Sequence, residues 1–147
     1  MRTFSLFGFL AITLSLAGCA DDDPITPATT ATGIEIEGTW TSDFGTDVIT
    51  DDSWSSDFGS GPFVSTIAEF SNSKNVAITV SPDDGTDSGK YNRIVWTEIA
   101  GDSFYYCTTD FGLATLDEAR EASSAVDASD PETTGCGTFP WSKLSSQ

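Results

Sequence analysis

The chain contains no histidine, only six lysine and arginine residues, three cysteines and one methionine. The missing imidazole excludes Ser-His-Asp and Cys-His catalysis and the usual histidine-ligated zinc sites. Any general base must be a carboxylate, a tyrosine or one of the lysines Lys74, Lys90 and Lys143. Basic residues are outnumbered by 23 acids, for a formal net charge of −17. That balance argues against nucleic acid, whose phosphates need clustered cations, and against docking on anionic lipid through a basic patch. The leading apolar run, Phe4 to Leu14, falls short of the about 20 residues a membrane-spanning helix needs. What the chain does have is core material: 38% hydrophobic and 12% aromatic residues in 147, enough for one folded domain.

The first nineteen residues read as an address. Met1-Arg2-Thr3 is a short positive start, and FSLFGFLAITL is the apolar section of a secretory signal peptide. Leu16-Ala17-Gly18-Cys19 then resembles the lipobox of bacterial lipoproteins, in which small residues admit the signal peptidase and the cysteine thiol takes a diacylglycerol. The resemblance implies a signal peptide over 1–18, lipidation at Cys19 and a membrane contact made through the N-terminal lipid. In many Gram-negative families an Asp directly after the cysteine goes with inner-membrane retention. Here Ala20 holds that place and Asp21 follows, so the expected location is the cell envelope, with the outer membrane favoured over the inner.

Residues 20–33 (ADDDPITPATTATG) cannot bury a core and read as a tether, so 19–33 is expected to be lipidated cysteine plus linker and 34–147 a single domain. From Ile34 the apolar period is mostly two. Ile34, Ile36, Gly38 and Trp40 alternate with polar neighbours in a first strand, and 46–50, 63–70, 76–80, 91–98 and 104–109 follow as further strands. Thr115-Leu116-Asp117-Glu118 is a capping box opening one short helix that runs to about Ser124. The acidic tail 127–137 ends in Phe139-Pro140-Trp141, apolar enough to return to the sheet. The expected fold is mainly β: a small antiparallel barrel or curved sandwich of about six to eight strands, with one short helix near the C-terminus.

Asp43-Phe44-Gly45 recurs as Asp57-Phe58-Gly59 and again as Asp110-Phe111-Gly112. With nothing else of a kinase present, these read as repeated turns, Asp capping the backbone, Gly bending it and Phe tucking beneath. Once Cys19 is assigned to lipid, export leaves Cys107 and Cys136 in an oxidising compartment. They form no Cys-x-x-Cys motif and have no basic neighbour, so a structural disulfide is expected rather than a redox pair.

Acids supply the remaining candidates. Asp83, Asp84 and Asp87 around Gly85, and Asp127, Asp130 and Glu132 in the tail, have the composition of calcium loops, though neither follows the EF-hand pattern. No cofactor is called for, and calcium is the one metal these acids suit. Glu69 and Glu98 are strand carboxylates of the kind a glycosidase pairs, but strand glutamates ordinarily face water. The expectation is a protein that is not an enzyme and has no catalytic residue.

Gly38-Thr39-Trp40 resembles the Gly-x-Trp start of lipocalins and other calycin barrels, and GTWTSDFGT resembles the first strand of the avidin group. The resemblance implies that Trp40 closes one barrel end beneath a basic residue near the C-terminus, a part that would fall to Lys143. No biotin site carries over. The stretch from Tyr105-Tyr106-Cys107 through Gly135-Cys136-Gly137 to Leu144 looks like a group of small uncharacterised bacterial lipoproteins, which implies no activity. Two functions follow as expectations: a non-enzymatic binding module whose aromatics line a small apolar pocket, or a surface or assembly protein that meets another envelope protein. Trp40, Trp54, Phe58 and Trp96 are the candidate contacts for either, Trp54 and Phe58 as exposed anchors in a Ser/Gly/Asp-rich stretch.

Overall fold

The computed structural model describes residues 33–83, 86–137 and 139–147. The signal-peptide reading, Cys19 and all of the tether but Gly33 lie outside the described residues, as do Asp84 and Gly85 of the first acidic loop.

Eight antiparallel strands close into a barrel. β1 (Gly38–Ser42), β2 (Gly45–Ile49), β3 (Ser53–Asp57), β4 (Pro62–Ser71), β5 (Val76–Val80), β6 (Tyr91–Trp96) and β7 (Ser103–Leu113) run up and down in chain order. The chain then leaves the wall as helix α1 (Leu116–Glu121) and a tail carrying the short hairpin β8 (Gly135–Cys136) and β9 (Phe139–Pro140). It returns as β10 (Ser142–Ser146), which fits between β7 and β1 and completes the ring. Closure removes the unpaired edges that would otherwise template aggregation. Alternation builds the wall, since successive side chains point to opposite faces. In β6, Ile94 and Trp96 turn inward and Tyr91 and Val95 outward; in β7, Phe104 and Tyr106 face in and Tyr105 and Cys107 out.

Two apolar cores result. The inner one joins Ile34, Ile36, Trp40, Ile49, Trp54, Ile67, Ala77, Ile94, Trp96, Phe104 and Leu144 inside the ring. The outer one lies between the β5–β6–β7 wall and the crossover, and holds Val76, Ile78, Val95, Cys107, Ala119, Cys136 and Trp141. Cys107 and Cys136 meet there at disulfide-bonding distance, with Cα atoms 6.2 Å apart. Thr115 and Glu118 form the expected reciprocal capping box, but α1 ends at Glu121, three residues before the expected Ser124. Arg120 ties the helix to the wall through Glu69.

The first strand begins four residues later than its period suggests. Ile34–Glu37 turns across the end of the barrel, with Glu37 N–H donating to the Ile34 carbonyl. Ile34 and Ile36, both fully buried, stopper that end. The β2–β3 turn holds this plug through Asp51, which accepts from Ile34 N–H, and the β4–β5 turn through Asn72, which bonds Glu35 N–H and the Gly33 carbonyl. Trp96 Nε1 donates to Glu35. Trp40 packs edge-on against Phe104 at 4.7 Å and donates Nε1 to the Ile36 carbonyl. Lys143 does not form the basic lid expected over Trp40: it alternates with inward Leu144, so its side chain lies outside, 5.5 Å above the Tyr105 ring and 4.0 Å from Glu132.

Two strands escape the period-two reading. β3 (SWSSD) and β10 (SKLSS) each contribute one large apolar side chain, Trp54 and Leu144, both buried. The Asp-Phe-Gly copies also diverge. The first makes the two-residue β1–β2 turn, and the second follows β3, where Asp57 accepts from Gly59 and Gly61 N–H. The third lies within β7 beside a register shift, where Gly112 takes a φ of 65° and donates its N–H to Asn92. None of the phenylalanines tucks beneath its turn: Phe44, Phe58 and Phe111 are all exposed.

Candidate functional site

Opposite the plugged end, residues after β3 and β5 and the end of β7 border an opening. Beneath it lies a cavity of about 460 Å³ within the barrel. Its floor and walls are Trp54, Tyr106, Ile94, Ser56, Ser65 and Thr79 from the inward positions of β3 to β7. Phe58, Phe63 and Phe111 stand around the mouth, each about half exposed, with Pro82, Thr86 and Asp87 from the β5–β6 loop. The lining is amphipathic, with aromatic faces broken by hydroxyls and the Asn92 amide. This is the make-up of a site for a small organic molecule, with apolar walls and a few convergent polar groups.

One charge sits against the floor. Asp47 is 1% exposed, inward on β2 beside Ser56 of β3. It accepts from Trp54 Nε1 at 2.8 Å and from Ser56 Oγ at 2.5 Å. Among the described residues, the ion pairs join Arg120 to Glu69 and Asp117, and Lys143 to Glu132; none includes Asp47. Two neutral donors therefore hold a buried carboxylate. Tyr106, its ring 4.9 Å from that of Trp54, has its phenol pKa pushed up to about 12. Burial is the main cause, the Asp47 charge adds to it, and a hydrogen bond with Ser142 partly offsets both.

Of the four aromatics expected to make contacts, the structure brings Trp54 and Phe58 to this cavity. Trp54 corrects its expectation, because it is 4% exposed and an interior wall, not a surface anchor. Phe58 is exposed as expected, on the rim. Trp40 and Trp96 belong to the inner core and do not line the cavity. Sequence reasoning missed Asp47, Phe63, Ile94, Tyr106 and Phe111. Asp47 was within reach of the alternation rule, since it lies two residues before Ile49 and must share its face.

The other candidates are engaged elsewhere. Glu69 is bound by Arg120 on the outer wall, and Glu98 is exposed; neither lines the cavity. In the tail, Asp127 accepts from Ser129, Asp130 from Thr133, and Glu132 from the Tyr105 hydroxyl, so the three acids serve three separate local contacts. No group of three or more metal-ligating side chains converges among the described residues. A larger depression of about 820 Å³ runs outside the barrel past Phe44, Phe139 and Lys143. It is shallow and mainly polar, and Tyr105, Glu132 and Lys143 within it already satisfy one another, so the cavity within the barrel is the stronger candidate despite its smaller size. No family model, curated protein or solved structure matches the chain.

Proposed function

We propose that this protein is a lipid-anchored, non-enzymatic binding module of the bacterial envelope, taking a small apolar or amphipathic ligand into the open end of its barrel. The observation that carries this reading is the cavity of about 460 Å³ with three half-exposed phenylalanines at its mouth and Trp54 and Tyr106 within. Exposed aromatic side chains cost solvation unless something covers them, and a ring of them around a concave opening suits entry of an apolar body. Among the described residues lining the cavity, Asp87 at the rim is the single carboxylate, an arrangement suited to binding. The anchor rests on the lipobox-like Leu16-Ala17-Gly18-Cys19. Intact mass of the membrane-fraction protein tests it, and mature protein with an unmodified Cys19 contradicts it.

The cavity reading is tested by fluorescence titration of the full chain with N-phenyl-1-naphthylamine, a neutral apolar probe. The expected result is saturable one-to-one enhancement, weakened about tenfold in the Phe58→Ser/Phe111→Ser variant, equivalent to about 1.4 kcal/mol. Enhancement that never saturates, or that ignores both substitutions, contradicts it.

A second reading, docking to another envelope protein, has one observation in its favour. Val48, Ser55 and Val64 lie side by side across the outer face of β2, β3 and β4, and both valines are exposed. Two valines flanking a serine make a small patch, well below what a stable interface buries.

A further inference from the structure

The cavity's selectivity follows from the charge beneath it. We infer that the site prefers small amphipathic cations, an aromatic or apolar group bearing a protonated amine, with Asp47 as the countercharge. This rests on the reading of the cavity as a ligand site and adds the chemical class of the ligand.

The position of Asp47 is the first observation. Its carboxylate is fully buried, and its hydrogen-bond donors are the Nε1 of Trp54 and the hydroxyl of Ser56, two residues that themselves line the cavity. A group seated on Trp54 is thus one side chain from the charge. A neutral amide would satisfy the same two donors. A carboxylate adds a negative field in a weakly screened interior, and no ion pair among the described residues cancels it.

The second observation is the wall chemistry. Trp54, Tyr106, Phe58, Phe63 and Phe111 present aromatic rings to one space. Ring faces are electronegative and attract cations, most strongly where water is excluded. Aromatic walls above a carboxylate make the arrangement that binds organic ammonium groups. The third observation is the approach. Asp87 stands at the rim, and the whole chain carries −17, so a cation is drawn toward the mouth and an anion is repelled. The hydroxyls of Ser56, Ser65, Thr79 and Thr108 and the Asn92 side chain offer acceptors to the remaining ammonium protons.

The test compares three ligands of matched skeleton on the full chain by calorimetric titration: 2-phenylethylamine (cationic at neutral pH), 2-phenylethanol (neutral) and phenylacetate (anionic). The expected order is amine tighter than alcohol by about tenfold or more, and alcohol tighter than phenylacetate. In Asp47→Asn the amine's advantage over the alcohol should fall to about twofold or less. Equal binding of amine and alcohol to the unmodified protein overturns the inference and leaves the cavity reading standing, as does an amine preference that survives Asp47→Asn. Failure of both amine and alcohol to bind overturns the cavity reading as well. Should Asp47→Asn not fold, the indole N–H resonance of Trp54, which donates to Asp47, decides in the unmodified protein. It must shift on saturation with the amine more than with the alcohol, and an equal or absent shift contradicts the proposal.

Discussion

Asp47 shows how far a single residue can shape an interior. A buried charge is tolerated only where hydrogen bonds replace its hydration, and here the replacements are one indole N–H and one hydroxyl. Burial, with the same charge adding to it, raises the phenol of Tyr106 from 10.0 to about 12. The sign of the pH dependence follows. A raised folded-state pKa means the neutral phenol is favoured in the fold, so its contribution is complete below pH 10 and is lost as pH climbs through about 12. Denaturant melts between those limits should therefore show the stability of the unmodified protein falling more steeply than that of Tyr106→Phe. Identical slopes in the two proteins would mean that Tyr106 ionises as readily folded as unfolded. Gly45 acts by steric necessity instead: a Cβ there would collide with the Asp57 carbonyl across the β2–β3 pair, so the hairpin position admits only glycine.

Among the elements, β10 carries more than its composition suggests. SKLSS has one apolar residue, yet the strand bonds to β7 and β1 together and closes the ring. Leu144 is its only large contribution to the inner core and is fully buried. Leu144→Ala should cost about 2–5 kcal/mol in urea melts, and a loss below about 1 kcal/mol would show that closure does not depend on that contact. The short polar strands were also the least legible. Where side chains alternated clearly, sequence and structure agree over 76–80 and over all but the last two residues of the expected strand 91–98, and the capping box at Thr115 was readable because its bonds are local. β3 and β10 present one apolar residue each, too few to show a period, and their pairing is fixed by neighbours distant in the chain. The late start of β1 has a similar cause. Ile34 and Ile36 alternate like a strand, but Asp51, Asn72 and Trp96 hold them as a plug. The extension of β7 to Leu113 brought Phe111 to the mouth, and the bulge beside Gly112 that makes this possible leaves no periodic trace in sequence.

At the scale of the whole molecule, the barrel is asymmetric along its axis. One end is stoppered by Ile34, Ile36 and Trp40, and the other opens between exposed phenylalanines onto a cavity floored by Trp54 and Tyr106. The outer core under α1 and the Cys107–Cys136 contact brace the β5–β6–β7 wall from outside, so the interior at the open end need not be filled for the barrel to hold its shape. Ligand is therefore expected to enter at that end. The most direct test is to locate N-phenyl-1-naphthylamine by NMR in the isotope-labelled full chain. Saturable shifts are expected at the Trp54 indole N–H, the Ile94 methyls and the Tyr106 ring, with the Trp40 and Trp141 indoles unmoved. Shifts confined to Phe139, Trp141 and Lys143 on the outer groove, or no shift at Trp54 at saturation, would contradict entry at the open end.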